Sequence, residues 1–220
     1  MQPTMSKRPF DKDDPAVEAI GADAMAVCEG RLARVAGTHA LMLDGIPMPA
    51  PSVSGIGCWT TLRRGPGDGA WNGSLRTTVD ALPFGDESFC AVLVRFTQLA
   101  GVQPETVAAE LARVLAPHGV LLVADLHPRS LWHAGTSPGR WERALRANGL
   151  NVSRTVRCGS PWPRTGGAAG VPHWLVRGMG GAWVVEAQRR TLAAIPLRKS
   201  STRRVVEHKP VLPGAHRQRA

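Results

Sequence analysis

Apolar positions along this chain change period as it is read, and the changes mark its elements. Over residues 15–35, Val17, Ile20, Ala24, Val27 and Cys28 recur at helical spacing. Asp14 stands where a cap belongs, Pro15 suits a first turn and Gly37 closes the segment, so a first helix is predicted here. The run Ala40-Leu41-Met42-Leu43 is apolar without alternation, as in a strand covered on both faces, and it ends at Asp44-Gly45.

Residues 46–54 carry Pro47, Pro49 and Pro51. Each proline removes a backbone donor and clashes with the preceding turn, so no helix is predicted there. A second strand is expected at 58–62, a turn-rich stretch at 65–73 and a third strand at 75–79. Ala91 to Val94 reads as another buried strand. Residues 104–115 place Val107, Ala108, Leu111, Val114 and Leu115 on one helical face, with Thr106, Glu110 and Arg113 outward. Pro117-His118-Gly119 is a turn before the buried strand 120–124, which ends at Asp125. This strand–helix–strand unit implies a right-handed parallel crossover. A short helix at 141–148, closed by Gly149, precedes two strands at 152–157 and 182–185, expected as antiparallel partners at the sheet edge.

Composition narrows the class. A chain of 220 residues suits one core, no apolar stretch approaches the ~20 residues that span a bilayer, and the polar start of the chain is unlike a secretory signal. A cytoplasmic location is the expectation. The four cysteines (Cys28, Cys58, Cys90, Cys158) have neither CxxC nor zinc spacing, so no metal site is expected. The net charge of +10 is unevenly placed: residues 1–186 hold 18 Lys/Arg and 16 Asp/Glu, whereas 187–220 hold 9 and 1. Three regions follow: an N-terminal arm (1–14), one folded domain (15–190) and a basic tail (191–220). The tail would attract nucleic acid or another polyanion non-specifically, although it has no aromatic residue for stacking on bases.

The segment Leu82-Pro83-Phe84-Gly85-Asp86-Glu87-Ser88-Phe89 resembles the LPF-x-D-x-S-F-D signature of the type 11 branch of class I S-adenosylmethionine-dependent methyltransferases, with Cys90 in place of the final aspartate. Leu111-Ala112-Arg113-Val114-Leu115 and Pro117-His118-Gly119 are similar to that family's R-V-L-x-P-G-G run, with His118 replacing a glycine. Leu126-His127-Pro128-Arg129-Ser130-Leu131-Trp132 is similar to the F-N-P-x-S-L-W run of one bacterial subgroup. The resemblance implies an α/β fold: a three-layer Rossmann-like sheet, mostly parallel with an antiparallel edge. With residues 46–54 non-helical, its first crossover helix is missing.

The same resemblance implies S-adenosylmethionine as cofactor and methyl transfer to an acceptor that the sequence does not name. It assigns Asp44, Gly45, Thr78, Asp80, Ala81, Leu82, Arg95 and Phe96 to the cofactor side. In the family the first strand runs into a glycine-rich turn before a helix, whereas this chain has Asp44-Gly45 and the proline run. The second strand, which should end in an acidic acceptor for the ribose, ends in Leu62-Arg63-Arg64. Thr78 takes the place of the adenine-binding aspartate, and Phe96, Leu99 and Ala100 replace polar positions beyond the fourth strand.

On the substrate side, His127, Arg129 and Trp132 follow the fifth strand at the edge where open α/β sheets bind ligands. His127 is a candidate general base and Arg129 a candidate partner for an acidic substrate. Trp141, Trp162 and Trp174 are candidates either for a pocket wall or for packing. Ser160 lacks a G-x-S-x-G context, and the glycines near 166 and 178 lack a phosphate-loop sequel. The reading is S-adenosylmethionine-dependent methyl transfer, and its rival is a catalytically inactive binding or assembly protein on the same scaffold, with the basic tail contacting a partner.

Overall fold

Eight strands form one sheet in the computed structural model, which describes residues 15–65, 70–97, 101–128, 136–159 and 180–189. In chain order the elements are α1 (Pro15–Leu32), β1 (Gly37–Asp44), β2 (Ile56–Arg64), β3 (Trp71–Gly73), β4 (Arg76–Thr77), β5 (Phe89–Arg95), α2 (Pro104–Val114), β6 (Leu115–Leu126), α3 (Pro138–Ala147), β7 (Leu150–Cys158) and β8 (Ala182–Arg189). The strand order is β4-β3-β2-β1-β5-β6-β8-β7. Strands β2, β1, β5 and β6 are parallel, and β8 runs antiparallel to both β6 and β7, as the sequence pattern implies.

Helices cover both faces, which explains the unbroken apolar runs. From β1, Leu41 and Leu43 join the core under α2 and α3, while Ala40 and Met42 join the core under α1. The buried stripe of α1 is Ile20, Ala24, Cys28 and Leu32, one residue every fourth position. On α2 the buried set is Pro104, Val107, Ala108, Leu111 and Val114. Each large aliphatic among them stabilises the fold by about 1.5–3 kcal/mol. Gly149, with φ of 79°, ends the α3 region in the left-handed conformation that glycine adopts without steric cost.

Residues 46–54 form no helix, so β1 passes to its parallel neighbour β2 through an extended, proline-rich strap. Two expectations need correction. The third strand is not 75–79: Trp71–Gly73 pairs antiparallel with β2, and Arg76–Thr77 pairs with that strand in turn. The fully buried Trp71 draws 71–73 into the sheet, overriding the local turn composition. Residues 117–119 are not a turn separate from the strand but a kink inside β6, where His118 has φ of 62°. The arm 1–14, the tail 191–220, Arg129, Trp132, Ser160, Trp162, Trp174, Leu99 and Ala100 lie outside the described residues. No described helix is long and apolar enough to cross a membrane.

Candidate cofactor edge of the sheet

Connections diverge at β1 and β5: from β1 the chain moves to β2 on one side, and β5 leads to β6 on the other. Ligands of open α/β sheets bind at such a switch point, outside the carboxyl ends of the strands. Here those ends carry Asp44 and Arg95, which face each other in register. Both side chains are buried, and they form a two-pronged ion pair: Arg95 Nε to Asp44 Oδ1 2.5 Å, Nη2 to Oδ2 2.6 Å.

Other acceptors complete the seat of the guanidinium. Nη1 donates to the Pro49 carbonyl at 2.8 Å and meets the Met25 sulfur at 3.2 Å, and Nη2 lies 3.3 Å from the Met48 carbonyl. Burial pushes the Asp44 carboxyl up, against the hydrogen bond and charge of Arg95 and the charge of Arg63. Arg63, at the end of β2, stands 3.8 Å from Asp44.

The strap closes over this pair. Ile46 and Pro51 are buried, Ser52 N–H donates to Glu29 Oε1 at 2.9 Å, and Met48 lies against Gly21 of α1. Gly45 N–H donates to the Arg95 carbonyl at 2.8 Å, and a Cβ at Gly45 would run into the Phe96 carbonyl oxygen. Phe96 itself has φ of 50°, and its N–H donates to the Ala124 carbonyl. The main chains beyond β1 and β5 therefore hold each other.

Of the residues assigned to the cofactor, Asp44, Gly45, Arg95 and Phe96 come together. Thr78, Asp80 and Ala81 do not join them. They are exposed and lie just beyond β4, with β2 and β3 between that strand and β1, roughly 15 Å across the sheet at ~4.8 Å per strand. Thr77 Oγ1 donates to the Ala81 carbonyl at 3.0 Å, and the main chain of Leu82 is engaged by α2.

At the other half of the edge His127 is buried, and its N–H donates to the Gly181 carbonyl at 2.8 Å. Trp183 Nε1 donates to the carbonyls of Leu126 and Thr136 at 3.0 and 2.9 Å. Trp141 is fully buried in the α2–α3 core, a packing role rather than a pocket wall. The hydroxyls of Thr97 and Thr136 are buried without a hydrogen-bond partner among the described residues. Neither threonine stood out in the sequence, because a lone threonine, after a strand (Thr97) or before a helix (Thr136), carries no pattern. The pairing of Asp44 with Arg95 was equally hidden, since 51 residues separate them.

Sheet order, covered faces and switch point define this as a class I methyltransferase fold. The family model described as a methyltransferase domain matches residues 62–123, so this stretch of the chain is similar to that family. A geranyl diphosphate methyltransferase solved in complex with S-adenosylmethionine is 14% identical, with 76% of this chain and 84% of that one covered and a TM-score of 0.51. A methyltransferase from Aquifex aeolicus is 13% identical, covering 81% and 98%, with a TM-score of 0.49. No curated protein matches the chain.

The matched domain supports S-adenosylmethionine-dependent methylation in general terms. The residues at the switch point do not fit that cofactor in the family's manner. No helix N-terminus follows β1, Gly45 N–H is engaged, Asp44 is held by Arg95, and β2 ends in two arginines. The matched segment begins at Leu62 and so omits β1 and the strap.

Proposed function

We propose that this chain is a cytoplasmic protein that uses the methyltransferase fold for binding and assembly rather than for methyl transfer. The observation that carries this reading is the Asp44–Arg95 pair under the proline strap, which fills the crevice where the cofactor's amino-acid end would lie. Ligand recognition then belongs to the β5–β6–β8 half of the edge, where the buried hydroxyls of Thr97 and Thr136 await polar partners. The basic tail adds a non-specific, salt-sensitive contact with nucleic acid.

Methyl transfer from S-adenosylmethionine to an unidentified acceptor is the second reading. It is favoured by Asp44, an acidic residue at the carboxyl end of β1, and by the matched domain. Calorimetry with S-adenosylmethionine and its demethylated product separates the two. Losing the glycine-turn donors and the ribose acceptor removes about 3–6 kcal/mol, two charge-assisted bonds at about 1.5–3 kcal/mol each. A micromolar site, roughly −8 kcal/mol, would then fall to about millimolar. Micromolar binding to the unmodified chain would overturn the binding-protein reading.

A further inference from the structure

The seat of Arg95 is built entirely of acceptors: the Asp44 carboxylate, the carbonyls of Met48 and Pro49, and the Met25 thioether. Such a seat repels anions, since every hydrogen-bond partner of the guanidinium among the described residues is an oxygen or a sulfur. It also exceeds what an ammonium group needs, because two parallel N–H···O bonds require a planar fork. We infer that the switch-point crevice is a guanidinium-selective cation site whose occupant is the chain's own Arg95, and that this side chain latches the strap over the ends of β1 and β5.

Arg95 comes from β5 and carries its contacts to β1, the strap and Met25 of α1, so one side chain joins four segments. Without it Asp44 keeps, among the described residues, only Arg63, whose side chain is half exposed and stands 3.8 Å away. An emptied seat would then take a small organic cation of the same shape from solution. This inference rests on the binding-protein reading given above, yet the two fail separately. Micromolar S-adenosylmethionine binding by the unmodified chain would overturn that reading, whereas the inference turns on an Arg95 variant and simple cations.

The test is chemical rescue of Arg95→Ala, followed by thermal unfolding. The variant should melt about 10 °C lower than the unmodified chain, as expected for a buried carboxylate deprived of its partner. Ethylguanidinium at about 10 mM, far below denaturing concentrations, should restore at least half of that loss, and ethylammonium at the same concentration should restore little. Should Arg95→Ala fail to fold alone, the readout becomes the soluble yield on refolding with each cation. The double variant Asp44→Asn/Arg95→Met, which removes both charges, should fold and respond to neither cation. Equal responses of Arg95→Ala to the two cations, no response to either, or selective rescue of the double variant by ethylguanidinium would each overturn the assignment.

Discussion

Glu110 and Arg113 stand one turn apart on α2, and together they hold both backbone polar groups of Leu82, the first residue of the signature. Leu82 N–H donates to Glu110 Oε2 at 3.0 Å, while Arg113 Nη2 donates to the Leu82 carbonyl at 2.9 Å and to Glu110 Oε2 at 2.7 Å. Arg113 Nη1 extends the clamp to the Phe84 carbonyl and to Asp86, both at 2.8 Å. Phe84 and Phe89 pack edge to face, with centroids 4.9 Å apart. The residues that make the signature recognisable thus brace the chain against α2. They lie away from the Asp44 crevice, so their presence reports the scaffold and not the chemistry.

That clamp should be visible in acid. The hydrogen bond from Arg113 holds the Glu110 carboxyl below the ordinary 4.5, with smaller help from Leu82 N–H and against burial. Because the folded value lies below the unfolded one, its stabilisation is complete above about 4.5 and is lost as pH falls through the folded value. Glu110→Gln should cost about 1–2 kcal/mol at pH 7 and should flatten the fall in melting temperature as pH drops below about 4.5. An unchanged acid limb in that variant would show that the clamp contributes nothing.

Gly45 and Gly30 should respond oppositely to alanine. A Cβ at Gly45 would strike the backbone of Phe96 and Thr97, which has no flexible end to yield, so Gly45→Ala should cost about 2–3 kcal/mol, or roughly 6–10 °C of melting temperature. At Gly30, in α1, a Cβ meets no neighbour within 4 Å, and Gly30→Ala should stabilise by about 0.5–1 kcal/mol. Paired thermal melts check both signs.

His118 occupies a left-handed position, φ 62°, where the family motif has glycine. Relief of that conformation is worth about 1–2 kcal/mol, partly offset by the greater freedom of glycine when unfolded. His118→Gly should therefore raise the melting temperature by a few degrees, about 2–4 °C per kcal/mol gained, while His118→Val should lower it. A lower midpoint for the glycine variant would mean that the histidine's contacts outweigh its strain.

The cysteines should divide by burial. Burial first, and Cys158 second, push the Cys28 thiol up to about 12, and burial also raises Cys90. Cys58 is exposed on β2, whereas Cys28 and Cys158 are buried. Thiol titration of the native protein at pH 8 should give one fast phase, abolished by Cys58→Ser, with the other thiols slow until denaturant is added.

Much of the architecture was legible in the sequence because period and punctuation are local. The stripe of α1, the α2 face, the apolar runs of β1, β5 and β6, and the three prolines that bar a helix after β1 all act within a few residues. The antiparallel β8–β7 pair followed from the same kind of reading. Only the tertiary structure could decide that Trp71 enters the sheet in place of 75–79, because burial of an indole is settled by distant partners. It alone brought Arg95 onto Asp44: a salt bridge depends on where two strand ends meet, and nothing in the residues beside either one records the other. The fold of this protein is written in local pattern, whereas the state of its cofactor edge is set by the register of β1 against β5.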